Sequence, residues 1–428
     1  MIRRAVFPLK VLPILVCRKS IMSKEEFEGR IKELQENLSV EVQTLEGVII
    51  NKESDLTLLE GATKKADVLL LYKPYLGLAK CVIKIAEYNI PIILFKEAYK
   101  INGAMDALEY IWDKKDVWVA IDYSDINSRL ELLQVKKRIE NTKILVLNAD
   151  YPHWEKWPLR ISGGVEAIKN KFGMEIEYIK SGDVIKRWKN MKEERVKAVA
   201  EEWMKDAKKV VEPKEDDVIA VAKLYFLIRD LLKERQAQAM TMAYGNDPLP
   251  VPCFAYTNLR DEGIPAGCEA DILSLLLMVI LHYLTDKPAF MGGIETEPND
   301  NTTLIIGHCV GPRKMAGYET TPAPYILRDY HGEKFTGSLT AYVEMKIGQK
   351  VTICRLSGDL KTMFCTTGVI TGQKDIPGDC REIVKIKVED ARKFIHRTSG
   401  CHHIMVYGDY REKIRGLNVL FGITTNEI

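Results

Sequence analysis

The chain has 428 residues, of which 46% are hydrophobic and 29% are charged, and this balance is typical of a globular protein. Its 62 basic and 60 acidic side chains give a net charge of +2, so the composition favours neither nucleic acid nor a membrane surface as a partner. The nine cysteines include no CxxC pair, which argues against a zinc ribbon or a disulfide framework and predicts a reducing, cytoplasmic environment.

Short apolar runs alternate with amphipathic segments in the first third of the chain. Strands are predicted at Val11–Cys17, Val48–Ile50, Ala66–Tyr72, Pro91–Phe95 and Val117–Ile121. Helices are predicted at Lys24–Asn37, with Ser23 as its N-cap, at Leu76–Tyr88 and at Ala104–Trp112. This alternation predicts a parallel sheet with helices on both faces. No strand is followed by G-x-G-x-x-G and no Walker A sequence occurs, so no phosphate-binding loop is predicted.

A second alternation of strands and helices follows. Its strands are predicted at Lys143–Asn148, Met174–Ile179 and Ala237–Tyr244, and its helices at Gly164–Phe172, Asp183–Val211 and Val218–Arg235. The segment Ile272–Leu284 is apolar on every face, which predicts a buried helix, and it is too short to span a bilayer.

The pattern changes after residue 310. Strands separated by Gly, Asp or Pro turns are predicted at Gly337–Met345, Lys350–Leu356, Met363–Thr371, Arg381–Val388 and Cys401–Tyr407, with a short helix within Val388–Thr398 and a closing helix at Tyr410–Leu420. The predicted fold is therefore two doubly wound α/β domains, residues 1–140 and 141–310, followed by a mainly antiparallel β domain at residues 311–428.

Glu269 is the first candidate for chemistry. It follows an Ala-Gly-Cys turn and directly precedes the buried helix, where a carboxylate must be paired, protonated or bound to a cation. His308 ends the apolar run that starts at Leu304, and open α/β sheets bind ligands at such strand ends. His402 and His403 are adjacent in a strand, so their side chains point to opposite faces and only one can enter a given site.

The remaining histidines give a weaker signal. His282 lies in the buried helix and is predicted to be a core residue, and surface positions are predicted for His153, His331 and His396. Together, Glu269, an acidic loop with Glu295, Glu297 and Asp300, His308 and a C-terminal histidine form a carboxylate and imidazole set. Such a set suits Mn²⁺ or Mg²⁺ better than a structural zinc ion.

Several segments resemble the L-fucose and L-arabinose isomerase superfamily. They are Glu262–Asp271, the Asp-Lys-Pro-Ala-Phe sequence that ends the buried helix, Gly307–Cys309 and Gly400–Tyr410, and they extend over about the second half of the chain. The resemblance implies two α/β domains, a β-rich C-terminal domain and a homo-oligomer, a trimer or hexamer. It also implies a metal-dependent isomerase that converts an aldose, a pentose or deoxyhexose, to a ketose through an enediolate at a Mn²⁺ site.

The resemblance also assigns residues. Glu269 matches a metal-binding carboxylate that takes part in proton transfer, His308 matches a ligand of the arabinose branch, and His403 is our choice from the C-terminal pair. The family's second carboxylate falls at Gly292 or Gly293, where this chain departs from the pattern. Glu295 is therefore the predicted replacement, both as a metal ligand and as the second catalytic acid.

Two alternatives stay open. The missing second carboxylate favours a non-catalytic protein that binds a sugar or regulates, with two α/β domains that close on the ligand. Another enediolate-forming metal enzyme, an epimerase or a carbon–carbon lyase, would need the same residues. Metal content and chelator-sensitive turnover distinguish the first alternative from an isomerase, and the product distinguishes the second.

Overall fold

The computed structural model describes residues 8–39, 41–96, 103–113, 116–150, 160–243, 248–330, 339–376 and 381–428. The chain forms two compact units, one from Ala5 to Lys137 and the other from Arg138 to Ile428. The division into three domains remains a prediction. Among the described residues, no helix has both the length and the apolar character that a membrane crossing requires.

The first unit contains a parallel sheet in the order β2-β1-β4-β5-β6, with β3 also paired to β1. Its strands are β1 (Leu9–Val16), β2 (Val42–Thr44), β3 (Val48–Ile50), β4 (Val68–Tyr72), β5 (Ile92–Phe95) and β6 (Val117–Ala120). Its helices are α1 (Lys24–Asn37), α2 (Leu59–Thr63), α3 (Ala79–Ala86), α4 (Ala104–Ile111) and α5 (Tyr123–Glu140), with 3-10 helices at Glu53–Leu58 and Leu76–Leu78. The strand order reverses at β1. All pairings in this sheet are parallel, which confirms the predicted parallel α/β sheet.

The start of α1 shows how the sequence determines local structure. The Ser23 hydroxyl accepts a hydrogen bond from the Glu26 N–H at 3.1 Å, and the Glu26 carboxylate accepts one from the Ser23 N–H at 2.8 Å. This reciprocal capping box satisfies two main-chain donors that a helix start leaves without partners. The predicted N-cap is therefore confirmed.

The second unit begins with another parallel sheet, in the order β11-β10-β7-β8. Its first elements are β7 (Lys143–Leu147), α6 (Gly164–Phe172), β8 (Glu175–Ile179), α7 (Ser181–Lys189), α8 (Glu193–Asp206), β9 (Lys209–Val210), α9 (Glu215–Glu234), β10 (Ala239–Met242), α10 (Cys253–Asp261), β11 (Ala266–Gly267) and α11 (Ile272–Thr285). Helix α10 lies where no helix or strand was predicted.

The predicted continuous helix at Asp183–Val211 is wrong. The chain leaves the helix after α7, and Lys192 has an extended backbone before α8 begins. Val184 on α7 and Val196 on α8 are both buried. In one straight helix these two side chains would point roughly 120° apart, at about 3.6 residues per turn. The break lets both segments turn their apolar stripes inward.

The C-terminal part forms a seven-stranded sheet that closes on itself. Its order is β16-β19-β12-β13-β18-β17-β20, and β17 pairs back to β16, so the sheet resembles a barrel; all its pairings except β17–β20 are antiparallel. The remaining elements are β12 (Phe290–Thr296), β13 (Thr303–His308), β14 (Tyr325–Arg328), β15 (Thr340–Val343), β16 (Lys350–Leu356), β17 (Thr362–Lys374), β18 (Glu382–Val388), α12 (Ala391–Arg397), β19 (His402–Tyr407), α13 (Arg411–Leu420) and β20 (Thr424–Glu427). Strands β15, β14 and β9 form a small third sheet in this unit.

The buried helix α11 connects the second parallel sheet to the barrel. All its residues except Tyr283 are buried, as predicted. It packs against β10 and β11 of the parallel sheet and against β16 and β19 of the barrel. Its N-terminus therefore lies where the carboxyl end of β11 meets the barrel strands, and this junction contains the candidate site.

Candidate active site

Glu269 lies in a tight turn between β11 and α11. Glu269 and Ala270 both have left-handed backbones, with φ values of 59° and 55°. Each such conformation is unfavourable for a residue other than glycine by about 1–3 kcal/mol, so surrounding contacts must hold the turn. One of them is the hydrogen bond from the Ala270 N–H to the carbonyl of Met242, at the end of β10. The turn leaves Ala270 buried and the Glu269 side chain 35% exposed.

Two barrel strands bring histidines to the same point. His308 ends β13 and His402 begins β19. His308 Nε2 lies 3.9 Å from one oxygen of Glu269, and His402 Nε2 lies 3.7 Å from the other. The centroids of the two imidazole rings are 5.1 Å apart, and both side chains are buried. Among the described residues, these three form the group whose ligand atoms all lie within 4.8 Å of one another.

The distances between the Glu269 oxygens and the two histidine nitrogens are informative. Both exceed the 3.5 Å limit of an ordinary hydrogen bond, although the carboxylate faces the two imidazole nitrogens. A cation between the three atoms would contact each of them. One carboxylate oxygen and two imidazole nitrogens are donors that suit a divalent first-row metal such as Mn²⁺. The donor set of the group therefore fits the predicted metal.

Asp271 supports His402 from behind. It is the N-cap of α11 and is 1% exposed, with one oxygen accepting from the Ser274 N–H at 3.0 Å. The other oxygen lies 2.9 Å from His402 Nδ1 and 2.7 Å from the Ser274 hydroxyl. Burial acts to raise the pKa of Asp271, but the hydrogen bond and charge of His402, with smaller effects of Arg355 and Ser274, lower this pKa to about 2.

An ionised Asp271 can only accept hydrogen bonds, so His402 Nδ1 carries the proton and donates it. The Nε2 lone pair then faces Glu269. A carboxylate that orients a histidine in this way is a common feature of protein metal sites. The contact between Asp271 and His402 therefore has the form found in such sites.

The structure places His403 on the other side of β19. Its Nε2 lies 2.7 Å from the Thr398 hydroxyl, and its ring packs edge-on against Phe394. Burial lowers the pKa of His403 to about 3. His403 is therefore not brought into the group, and the adjacent His402 occupies the position that was predicted for it.

Glu295 is also not brought into the group. It is exposed on β12 and pairs in register with Ile305 of β13. Gly293, two residues earlier, is the register partner of His402. Because side chains of a strand alternate between faces, Glu295 and Gly293 share a face, but Glu295 lies further along it. Its predicted part in catalysis and metal binding remains a prediction.

The space around Gly292 and Gly293 shows which of the two positions could hold the family's second carboxylate. A Cβ at Gly292 would lie 2.5 Å from Ile306 Cγ2, within the barrel core. A Cβ at Gly293 would have its nearest contacts at 3.7 Å, with Cys401 Sγ and the Gly307 carbonyl. Only Gly293 therefore has room for a side chain.

The other candidates lie elsewhere. Glu297 forms an ion pair with Lys385, and Asp300 accepts hydrogen bonds from Thr302 and Thr303 within its loop. His282 is buried and bonds through Nδ1 to the Tyr318 hydroxyl at 2.7 Å, which confirms the predicted core position. His396 is exposed, as predicted, and His153 and His331 lie outside the described residues.

A comparison with protein families matches a segment that contains part of this site. Residues 162–287 match the family model of the L-arabinose isomerase central domain, and this segment includes Glu269 and Asp271. The sulfoquinovose isomerase of Alkalicoccus urumqiensis is 23% identical over 289 residues. That match covers 61% of this chain and 60% of the relative, so the chain spans less than two thirds of the relative's length.

A solved structure, described as the XylFII molecule, aligns with 66% of this chain and 96% of that chain at 11% identity. Its TM-score of 0.17 is too low to support an argument about fold. The family model and the curated relative support a resemblance to arabinose and fucose isomerase-like proteins. They do not select a particular member.

Proposed function

We propose that this protein is a metal-dependent sugar isomerase that converts an aldose to a ketose, with a pentose or deoxyhexose as substrate. The proposal rests on one observation: the turn before α11, strand β13 and strand β19 bring Glu269, His308 and His402 to one point. Both the family model and the curated relative point to a sugar isomerase. We further propose a homo-oligomer, a trimer or hexamer, which sedimentation analysis would test.

Glu269, His308 and His402 would hold the divalent cation, for which Mn²⁺ is our candidate. Bound there, the cation would supply Lewis-acid stabilisation of the negative charge that develops on two neighbouring substrate oxygens. The two histidines are buried and Asp271 orients one of them, so the ligand atoms are held in place before substrate arrives.

Glu269 is the side chain that suits proton transfer. It is 35% exposed at the site, whereas the side chains of His308 and His402 are 9% and 4% exposed. Its carboxylate would remove the proton from the carbon next to the carbonyl and return it to the neighbouring carbon. Isomerisation also moves a hydroxyl proton, and this step needs a second group.

Asp271 does not suit that second step. Its side chain is 2% exposed, and its oxygens already accept hydrogen bonds from Ser274 and His402. Glu295, exposed on β12, is our candidate for the second acid. The Glu295→Gln variant tests it. We expect slower turnover with unchanged Mn²⁺ affinity if Glu295 acts only on the hydroxyl proton.

The proposal is tested by metal content and by turnover of an aldose panel with and without Mn²⁺ and EDTA. We expect bound divalent metal and chelator-sensitive ketose formation. The same three ligands would serve a different enediolate reaction, and this reaction is the second candidate. Metal binding with sugar cleavage or epimerisation, but no ketose, would select that reaction. Sugar binding that is indifferent to EDTA would contradict both.

A further inference from the structure

A buried arginine lies behind the candidate metal site. Arg355 is on β16, the barrel strand that pairs with β19, and it is 3% exposed. Its Nη1 donates to the main-chain carbonyl of His402 at 2.9 Å and to the Ser274 hydroxyl at 2.8 Å. Its Nε is buried and has no hydrogen-bond partner within the described part of the chain. A guanidinium is costly to bury, so this position requires an explanation beyond barrel packing.

The contacts of Arg355 determine the direction of a chain of hydrogen bonds. A guanidinium can only donate, so the Ser274 oxygen accepts from Arg355. The single hydroxyl hydrogen of Ser274 is then available for Asp271, whose oxygen lies 2.7 Å away. That same oxygen lies 2.9 Å from His402 Nδ1. Because the carboxylate accepts from both groups, His402 donates through Nδ1 and keeps the lone pair of Nε2 toward Glu269.

Gly400 fixes the guanidinium from the other side. Its φ is +79°, and a Cβ there would lie 2.5 Å from Nη2, 2.8 Å from Cζ and 2.9 Å from Nε of Arg355. The main chain two residues before His402 therefore lies directly against the guanidinium plane. Arg355 is thus linked to His402 through the carbonyl, through Ser274 and Asp271, and through this close approach.

We propose that Arg355 is a positioning residue that acts through Ser274 and Asp271 to hold the His402 ring with Nε2 directed at Glu269. The inference rests on the proposed function in so far as Nε2 binds a metal. The orientation of the ring itself does not depend on that function, so the two can be tested separately.

The first test is Mn²⁺ affinity, measured by calorimetry on chelator-stripped protein. Arg355→Met removes all donors, Arg355→Lys keeps the charge and part of the donor capacity, and Ser274→Ala cuts the link to Asp271. We expect about 10- to 100-fold weaker binding for Arg355→Met and Ser274→Ala, as for other residues that orient a metal ligand, and an intermediate loss for Arg355→Lys. Thr285→Ala is the matched control, because Thr285 is a buried hydroxyl on the same helix that bonds to the Leu281 carbonyl.

The second test examines the ring without metal. Solid-state ¹⁵N spectra of histidine-labelled protein report the protonated nitrogen of each imidazole, and the spectrum of His402→Gln assigns the His402 signals. We expect one His402 population, protonated at Nδ1, in the unchanged protein, and a second population in Arg355→Met.

These outcomes separate the two proposals. Absence of Mn²⁺ binding by the unchanged protein would remove the proposed function, while the ¹⁵N spectra would still test the positioning of His402. The positioning proposal is overturned if folded Arg355→Met keeps a single His402 population. It is also overturned if Ser274→Ala binds Mn²⁺ as tightly as Thr285→Ala. The serine variant keeps the proposal testable even if Arg355→Met fails to fold.

Discussion

Two clusters of ionisable side chains meet at the neighbouring strands β13 and β18. His308 belongs to the candidate site, and its register partner Glu382 belongs to the other cluster. Glu382 is fully buried, and its oxygens accept from the N–H groups of Gly311 at 2.6 Å and Val343 at 2.7 Å. The oxygens of Glu269 lie 3.7 and 3.9 Å from imidazole nitrogens.

The difference shows what distinguishes a structural carboxyl group from a functional one. Glu382 uses both oxygens in main-chain hydrogen bonds that hold the loop residue Gly311 and the end of β15 to the barrel. Glu269 is partly exposed and faces two nitrogens at distances too long for hydrogen bonds. Burial alone therefore does not identify a site. Convergence of ligand atoms that the protein does not bond to one another is the better criterion.

The largest effect is expected from Glu269→Gln. The amide keeps the shape of the side chain but removes its charge and basicity, so we expect turnover to fall by about 10²–10⁴-fold. Mn²⁺ binding should be lost as well, because one of the three ligands becomes a neutral amide. The measurements are calorimetry with Mn²⁺ and ketose formation. The side chain is 35% exposed, so thermal unfolding should change little. Unchanged Mn²⁺ affinity would contradict the assignment.

The matching change in the other cluster, Glu382→Gln, should alter pH dependence rather than metal binding. Burial raises the pKa of Glu382 from 4.5 to about 8, although the Val343 and Gly311 N–H groups and Arg260 act to lower it. Between these pH values the unfolded chain releases a proton that the folded protein retains. Stability therefore falls as pH rises through this window, by about 3–5 kcal/mol in total.

Glu382→Gln should remove this contribution. Urea unfolding of both proteins at pH 5 and pH 9 measures it, and Mn²⁺ affinity at one pH is the control. A variant that loses stability between these pH values as steeply as the unchanged protein would show that Glu382 is not the group responsible.

A smaller effect, on Mn²⁺ affinity, is expected to differ between variants of the two adjacent histidines. His402→Gln removes a nitrogen that faces Glu269, and we expect Mn²⁺ affinity to fall by about 100-fold, the upper limit for residues that only orient a ligand. His403→Gln should leave this affinity unchanged, because His403 bonds to Thr398 on the other face. It should lower the unfolding temperature instead. Equal loss of Mn²⁺ affinity in the two variants would mean that His402 is not specifically a ligand.

The positions of His402 and His403 could be predicted only in part from the sequence. The period-2 rule predicted that only one of His402 and His403 could face a site, but it could not say which. The choice depends on the register of β19 against β12, where His402 pairs with Gly293. That register is a contact between distant segments, and the local pattern does not contain it.

Local signals performed better where local physics decides the outcome. Ser23 predicted the start of α1, and the all-round apolar pattern predicted the buried α11. Glu269 was found because it precedes an apolar run, and His308 because it ends one. Asp271 was visible beside Glu269, but its use as an orienting group requires His402, 131 positions away. The sequence therefore predicts candidate ligands more readily than the residues that position them.

The smallest effect is expected for the free energy of unfolding when Gly292 or Gly293 on β12 is replaced by alanine. It tests which of the two positions could hold a carboxylate. We expect Gly292→Ala to destabilise the protein by about 1–3 kcal/mol, because its Cβ would lie 2.5 Å from Ile306 in a packed core. Gly293→Ala should be close to neutral, since its nearest contacts would be at 3.7 Å. Urea unfolding of the two variants makes the comparison. Equal destabilisation would mean that Gly293 is also enclosed by its neighbours.

A near-neutral Gly293→Ala would establish that the position beside His402 can accept a side chain. The absence of a carboxylate there would then be a property of the sequence and not a requirement of the fold.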